Sequence, residues 1–233
     1  MQGRLYDSSM QATAITLISI IGDRLRFYFN NSPDVARPMA CSTAMTTELG
    51  ELSACIIGIS GTGSIVAEQA ARLGFGLVTL IDFDHVEHKN LNRILNSTIH
   101  DADECSAKVD VMARAIHACR GEGVANPIRS SIATREAVLA ASECDVLFSC
   151  TDTRESRCIA DMLCEAFLLP LFDVGVSIEA RNSGAGPEIV EMCGRIDYVR
   201  PDGASLQDRG VYTPASLREE YLKQHAPQTY ADE

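Results

Sequence analysis

The sequence has no Cys-x-x-Cys pair, no excess of basic residues and no apolar run long enough to cross a membrane. Each absence narrows the field. The nine cysteines are odd in number and irregularly spaced, so they predict reduced thiols of a cytoplasmic protein, mostly core filler with one or two reactive. Twenty Lys and Arg against 32 Asp and Glu give a formal charge of −12, which argues against the clustered cations of a nucleic-acid surface. The longest apolar stretch near the start, Ala12 to Ile21, is about ten residues, half of the roughly 20 that a membrane helix takes. Tyr6 and Asp7 interrupt what would be the basic leader of a signal peptide, and no small-residue cleavage site follows. A buried strand or helix is therefore expected there, and no membrane partner. No internal repeat is visible.

What is present is ordinary for a globular chain. Of the 233 residues 46% are hydrophobic and 22% charged, enough for one α/β domain or two small ones. The acidity is uneven: 15 acidic and eight basic residues follow residue 150.

The first 50 residues are irregular, with a turn cluster at Asn30-Asn31-Ser32-Pro33 and a candidate strand before it. From Leu52 onward the pattern alternates. Ala54 to Ile59 predicts a buried strand, residues 62–74 a helix stopped by Gly74, and Leu77 to Ile81 a second strand. Ser106 is a candidate cap for a helix facing inward with Val109, Met112 and Ile116. Further on come a strand at Pro127 to Ile132, a helix from Thr134 to about Ala141, a strand at Asp145 to Cys150, and a helix from Thr153 to Leu168. Leu171 to Val176 and Arg195 to Val199 read as strands around a Gly/Asn/Ser-rich loop at about 180–188. Thr213-Pro214 opens a last helix. Continuous apolar strands alternating with helices predict an α/β, Rossmann-like fold: a doubly wound, mostly parallel sheet flanked by helices, with a C-terminal helix. Residues 1–50 are expected to form a separate arm or subdomain, and 51–233 the main domain.

Two constellations carry chemistry. Gly58-Ile59-Ser60-Gly61-Thr62-Gly63 lies between the first strand and its helix, where glycines let backbone approach a phosphate and the helix N-terminus offers free N–H groups. Asp82 ends the next strand 19 residues later, where an acid can take ribose hydroxyls. A plain strand–helix turn with a surface acid is the bland alternative. The second constellation is Asp82-Phe83-Asp84, then Asn90-Leu91-Asn92-Arg93, then Lys108, then Thr151-Asp152. Arg93 and Lys108 suit a triphosphate, and Asp82, Asp84 and Asp152 suit a metal ion or ribose; attack at phosphorus needs such cations and a carboxylate-held Mg²⁺. The bland alternative is solvated charge, with Asp152 capping the helix that begins at Thr153. His85 and His88 have no third ligand nearby and read as surface residues.

Taken in order, these motifs resemble the ThiF/MoeB/HesA superfamily, which includes adenylyltransferases of sulfur-carrier proteins and ubiquitin-activating enzymes. The resemblance covers about residues 52–222 and extends to Asp173-Val174-Gly175 and to the strand from Gly194 to Pro201. It implies that ATP phosphates lie on the loop Gly58, Ser60, Gly61, Thr62 and Gly63, with Asp82 on the ribose and Asp84 beside it. Asn90, Arg93 and Lys108 would contact the triphosphate, and Asp152 would bind Mg²⁺; Arg93, Lys108 and Asp152 are the catalytic candidates. It further implies a homodimer and, as substrate, the C-terminal carboxylate of a small ubiquitin-like or sulfur-carrier protein threading under a crossover loop near 178–193.

The chain also departs from that pattern. Where the family often carries the first of two zinc-binding Cys-x-x-Cys pairs, it has Ala204-Ser205-Leu206-Gln207-Asp208, so no structural zinc is expected. Ser60 replaces a usual glycine. Family dimers often insert an N-terminal arginine into the partner's ATP site, and Arg37 is a candidate for it. Cys193 lies where some members form a thioester, with Arg195 or Arg181 as candidate sources of positive charge; an inert thiol is the favoured alternative. Cys55, Cys150, Cys158 and Cys164 read as core. Two other functions stay open: a catalytically weak binding module that docks a ubiquitin-like partner or another subunit, and an NAD-dependent oxidoreductase, which leaves Arg93, Lys108 and Asp152 unexplained together.

Overall fold

The computed structural model describes residues 48–183, 186–227 and 230. The N-terminal expectations, Arg37 included, lie outside these residues. Six strands form one sheet in the order β3-β2-β1-β4-β5-β6. They are β1 (Ser53–Ile57), β2 (Leu77–Ile81), β3 (Ala125–Ile128), β4 (Val146–Ser149), β5 (Leu171–Ser183) and β6 (Gly186–Val199). The first five run parallel and β6 returns antiparallel along β5. The doubly wound, mostly parallel sheet is as expected.

The helices are α1 (Gly61–Leu73), α2 (Ile99–Asp103), α3 (Lys108–Arg120), α4 (Arg135–Ser142), α5 (Arg154–Phe167) and α6 (Pro214–His225). Parallel strands are covered on both faces, so their residues must be apolar in succession, and every residue of β1 is buried. One core joins Ala54, Ile56, Val78 and Leu80 to the small residues Ala67, Ala70 and Ala71 of α1 and to Met112 and Ile116 of α3. The other joins Cys55, Ile57, Leu147 and Leu171 to Ala137 of α4 and Ala160 and Leu163 of α5. Fully burying one such Ile or Leu contributes about 1.5–3 kcal/mol.

Helix boundaries follow local chemistry. Gly74, at φ 114°, takes the left-handed conformation that ends α1. Thr134, Thr153 and Thr213 each cap their helix by accepting a backbone N–H three residues on. Three local expectations are corrected. Ser106 does not cap α3, whose N-cap is Ala107 with no side-chain bond. The third strand starts earlier, at Ala125, because it is set by pairing with β2. Residues 180–183 and 186–188 of the Gly/Asn/Ser-rich segment, expected as a loop, belong to the far end of a long β5–β6 ribbon whose pairing runs out to Ser183 and Gly186. Backbone pairing there overrides weak local propensity.

The segment around Ala204 to Asp208 is braced by a carboxylate. Asp161 of α5, buried, accepts the Leu206 and Gln207 N–H groups at 3.0 and 3.3 Å and the Tyr212 hydroxyl at 2.8 Å. Burial, and then this contact, pushes the Tyr212 phenol up.

Candidate active site

The topology puts the motifs at the carboxyl ends of β1, β2 and β4, where the strand order reverses between β1 and β4. That crevice is where open α/β sheets bind ligands. Gly58 has φ 87°, and a Cβ on it would lie 2.9 Å from the Cys150 carbonyl oxygen, so the chain turns tightly beside β4. A Cβ on Gly63 would fall 1.7 Å from the Gly58 carbonyl oxygen; only glycine lets α1 begin this close to the turn. Ser60 is the N-cap of α1, and its side chain makes no cap bond. The first N–H groups of α1 are therefore left to an anion, and Ser60 stands in the missing glycine's place.

Asp82, expected to take ribose hydroxyls, has a structural task. Its Oδ2 accepts the Ile59 N–H at 2.7 Å and its Oδ1 the Asp84 N–H at 2.8 Å, tying the end of β2 to the glycine loop. Burial raises its pKa, against the pull of Lys108 and these two hydrogen bonds. Each carboxylate oxygen keeps a lone pair for a ligand hydroxyl. Lys108 is 6% exposed and its Nζ lies 2.7 Å from Asp84 Oδ2. The Lys108 N–H also donates to the Asp84 carbonyl, so the two loops move as one piece.

Arg93 is brought to the glycine loop. Its Cβ and Cδ would each lie 3.4 Å from a Cβ on Gly61, so its aliphatic stem packs on the first residue of α1. Two residues that sequence reading did not single out moor this segment: the Leu95 N–H donates to Ser64 Oγ at 3.1 Å, and Asn96 Nδ2 donates to Glu68 Oε2 at 2.9 Å. Both lie on α1, and nothing in their local sequence marks them. Asn90, expected at the triphosphate, is buried; its side-chain oxygen accepts the Glu87 N–H at 3.2 Å and holds the turn that carries Arg93. His85 is exposed, and His88 pairs with Asp103 at 3.0 Å.

Asp152 follows Thr151, whose Cγ2 would lie 3.2 Å from a Cβ on Gly58. The cap of α5 is Thr153 rather than Asp152, and Glu220 of α6 adds two bonds there, accepting the Arg154 and Glu155 N–H groups at 3.0 and 2.9 Å. Asp152 is exposed, with no described residue bonded to its carboxylate. It suits Mg²⁺, which takes one or two carboxylates plus substrate phosphates rather than an all-protein cage. Among the described residues no three His, Cys, Asp or Glu side chains group as a metal site.

Cys193 lies out on the ribbon, opposite Ser177. Its thiol donates to Glu191 Oε1 at 3.1 Å, and that contact raises its pKa. The expected help from Arg195 is corrected: Arg195 is committed to Asp173 and Asp197. Cys55, Cys150 and Cys164 are buried in the core and Cys158 partly so.

Comparisons with known proteins agree with this geometry. The family model described as the ThiF family matches residues 35–188. "Ubiquitin-like modifier-activating enzyme 5" of Bombyx mori is 27% identical over 165 residues, covering 66% of this chain and 38% of the relative. The Drosophila mojavensis protein of that name is 27% identical over 159 residues, covering 63% and 36%. The chain thus spans under two fifths of the length of these curated relatives. Among solved structures, E. coli MccB with ATP superposes with a TM-score of 0.58 at 16% identity, covering 78% of this chain and 50% of that one. MccB with N-formylated MccA gives 0.58 at 18%, covering 72% and 46%. At these identities the MccB likeness is one of fold. With the family model matching well over half of the sequence, the chain belongs to the ThiF family.

Proposed function

We propose that this domain adenylylates the C-terminal carboxylate of a small ubiquitin-like or sulfur-carrier protein, using ATP and releasing pyrophosphate. The observation that carries this reading is the packing of the Arg93 stem on Gly61, the first residue of an uncapped helix at the switch point of the sheet; its guanidinium donates to the Lys89 carbonyl at 3.2 Å and keeps further N–H groups for a phosphate. The open N–H groups of α1 and Arg93 hold phosphate charge, Lys108 adds a second cation, and Asp82 orients the ribose. A carboxylate oxygen of the substrate attacks the α-phosphorus; the bond from that phosphorus to the α,β-bridging oxygen breaks, pyrophosphate leaves with that oxygen, and an acyl-adenylate remains. The substrate supplies the nucleophile, so no side chain has to. Asp152 would hold Mg²⁺, which when bound would neutralise phosphate charge.

The substrate protein docks on the ribbon. Val176, Ile178, Met192 and Ile196 are exposed, and by register Ile178 faces Met192 on one side of the ribbon. Glu188 and Glu191 lie along the same strand, which favours a partner with an apolar patch rimmed by basic residues. A homodimer acting in the cytoplasm completes the reading. The relatives' names point the same way, toward ubiquitin-like modifiers, and MccB was crystallised with ATP.

Calorimetry separates this from a binding module that has lost catalysis. The enzyme binds Mg²⁺-ATP, and Arg93→Ala weakens that binding; a module binds ATP weakly or not at all, and Arg93→Ala leaves it unchanged.

A further inference from the structure

Asp152 is useful only if held still, and its own turn does little to hold it. No described residue bonds its carboxylate, and Thr151 Oγ1 beside it is buried without a hydrogen-bond partner. Thr153 and Glu220 fix the start of α5 but bond to Ser156, Arg154 and Glu155, not to Thr151. The bond that fixes the turn comes from Arg157, whose Nη2 donates to the Thr151 carbonyl at 2.9 Å.

Arg157 is located in turn by a buried charge. Its Nε lies 3.5 Å from Asp173 Oδ1, an ion pair rather than a hydrogen bond, and Asp173 is fully buried on β5. A carboxylate there needs full compensation. Ser149 Oγ donates to it at 2.7 Å, and Arg195, from β6, pairs with its other oxygen. A Cβ on Gly175 would lie 3.3 Å from Arg195 Nη2 and 3.4 Å from Arg157 Nη2, so two guanidinium groups close over one glycine. Asp173 and Asp197 face each other in the β5–β6 register, where like charges repel. Arg195 offsets this by charge, its Nε lying 2.8 Å from Asp197 Oδ2 without the alignment of a hydrogen bond, and Arg209 braces Asp197 from outside at 3.3 Å.

We propose that Arg195 is a positioning residue for Asp152: held between Asp173 and Asp197, it fixes Asp173, which fixes Arg157, which fixes the Thr151 carbonyl and the turn carrying Asp152. Arg195 stands two residues from Cys193 on the ribbon, so the docking strand and the metal-binding turn share one rigid connection. The inference rests on the adenylylation reading, since it takes Asp152 as the Mg²⁺ ligand.

The test compares the full chain with Arg195→Met and Arg195→Lys. Mn²⁺ replaces Mg²⁺, and its binding is titrated by electron paramagnetic resonance with ATP present. ATP affinity without metal is measured by calorimetry, and thermal unfolding checks that each variant is folded. Arg195→Met is expected to weaken Mn²⁺ binding about tenfold, the usual effect of losing a residue behind a metal ligand. Metal-free ATP affinity stays unchanged, because the glycine loop, Arg93 and Lys108 are untouched. Arg195→Lys keeps a charge on Asp173 but not the fork that spans both carboxylates, so its Mn²⁺ affinity falls between the two. If Arg195→Met does not fold, Arg195→Lys decides alone. Parental Mn²⁺ affinity in the folded variants overturns the proposal, as does an equal loss of metal-free ATP binding, which means general loosening. A parent chain that binds no ATP overturns the adenylylation reading itself and this inference with it.

Discussion

Lys108 is an uncommon lysine, 6% exposed with its ammonium 2.7 Å from a carboxylate that is half exposed. That asymmetry makes its replacement informative. In Lys108→Met the Asp84 carboxylate turns to water, so stability changes by about 1 kcal/mol or less in thermal unfolding. ATP–pyrophosphate exchange falls about 10²- to 10³-fold, the usual effect of losing one preorganised charge partner at a reacting centre. Cys193 gives the opposite expectation. Glu191 accepts from its thiol and raises its pKa, so the thiolate appears only at pH above that of an ordinary cysteine. The rate of its alkylation by iodoacetamide, followed by mass spectrometry, is expected to rise with pH with a midpoint above that of an ordinary exposed cysteine. Arg93 and Asp82 stand out in the sequence because each sits in a short motif, and Lys108 by its spacing about 15 residues after Arg93; the fold brings all three to the same end of the sheet. The cluster of Asp173, Arg157 and Arg195 is not legible there: Asp173 stands out only as part of a strand motif and Arg195 only as a cation near Cys193, and the two meet through strand register, 22 residues apart.

At the scale of elements, the strand–glycine loop–helix unit is the part least free to vary. Gly63→Ala would place a methyl group 1.7 Å from the Gly58 carbonyl oxygen, so α1 must move away from the turn. A loss of about 1–3 kcal/mol in denaturant unfolding is expected, with ATP binding weakened in whatever remains folded, because the phosphate-facing N–H groups move with the helix. Elements with strong local signals are legible in the sequence: Leu77–Ile81 to the residue, and the helices behind Thr134 and Thr213 by their opening threonines, whereas the cap of α5 is Thr153 and not the expected Asp152. The ribbon is not legible in any local stretch. Gly, Asn and Ser near its tip carry little strand propensity, and its length comes from thirteen paired positions along β5 and β6 that no local window contains. Asp161 was likewise missed, because its partners Leu206, Gln207 and Tyr212 are 45 or more residues away.

For the whole molecule, the charge of −12 is concentrated after residue 150, on the part that carries the ribbon. If that face receives a basic-rimmed protein, association slows as salt shortens the reach of the field, with a Debye length near 10 Å at about 0.1 M. The association rate measured by surface plasmon resonance or stopped flow is expected to fall steeply between low and physiological ionic strength, with a smaller change in dissociation. The central claim is that the glycine loop, Arg93 and Lys108 together activate a carboxylate with ATP. It is tested most directly by ATP–pyrophosphate exchange with small carrier proteins ending in a free glycine carboxylate. The account predicts label passing from pyrophosphate into ATP only when the carrier is present, and a loss of about 10²- to 10³-fold in Arg93→Ala. Exchange that is absent with every carrier, or that persists undiminished in Arg93→Ala, would contradict it.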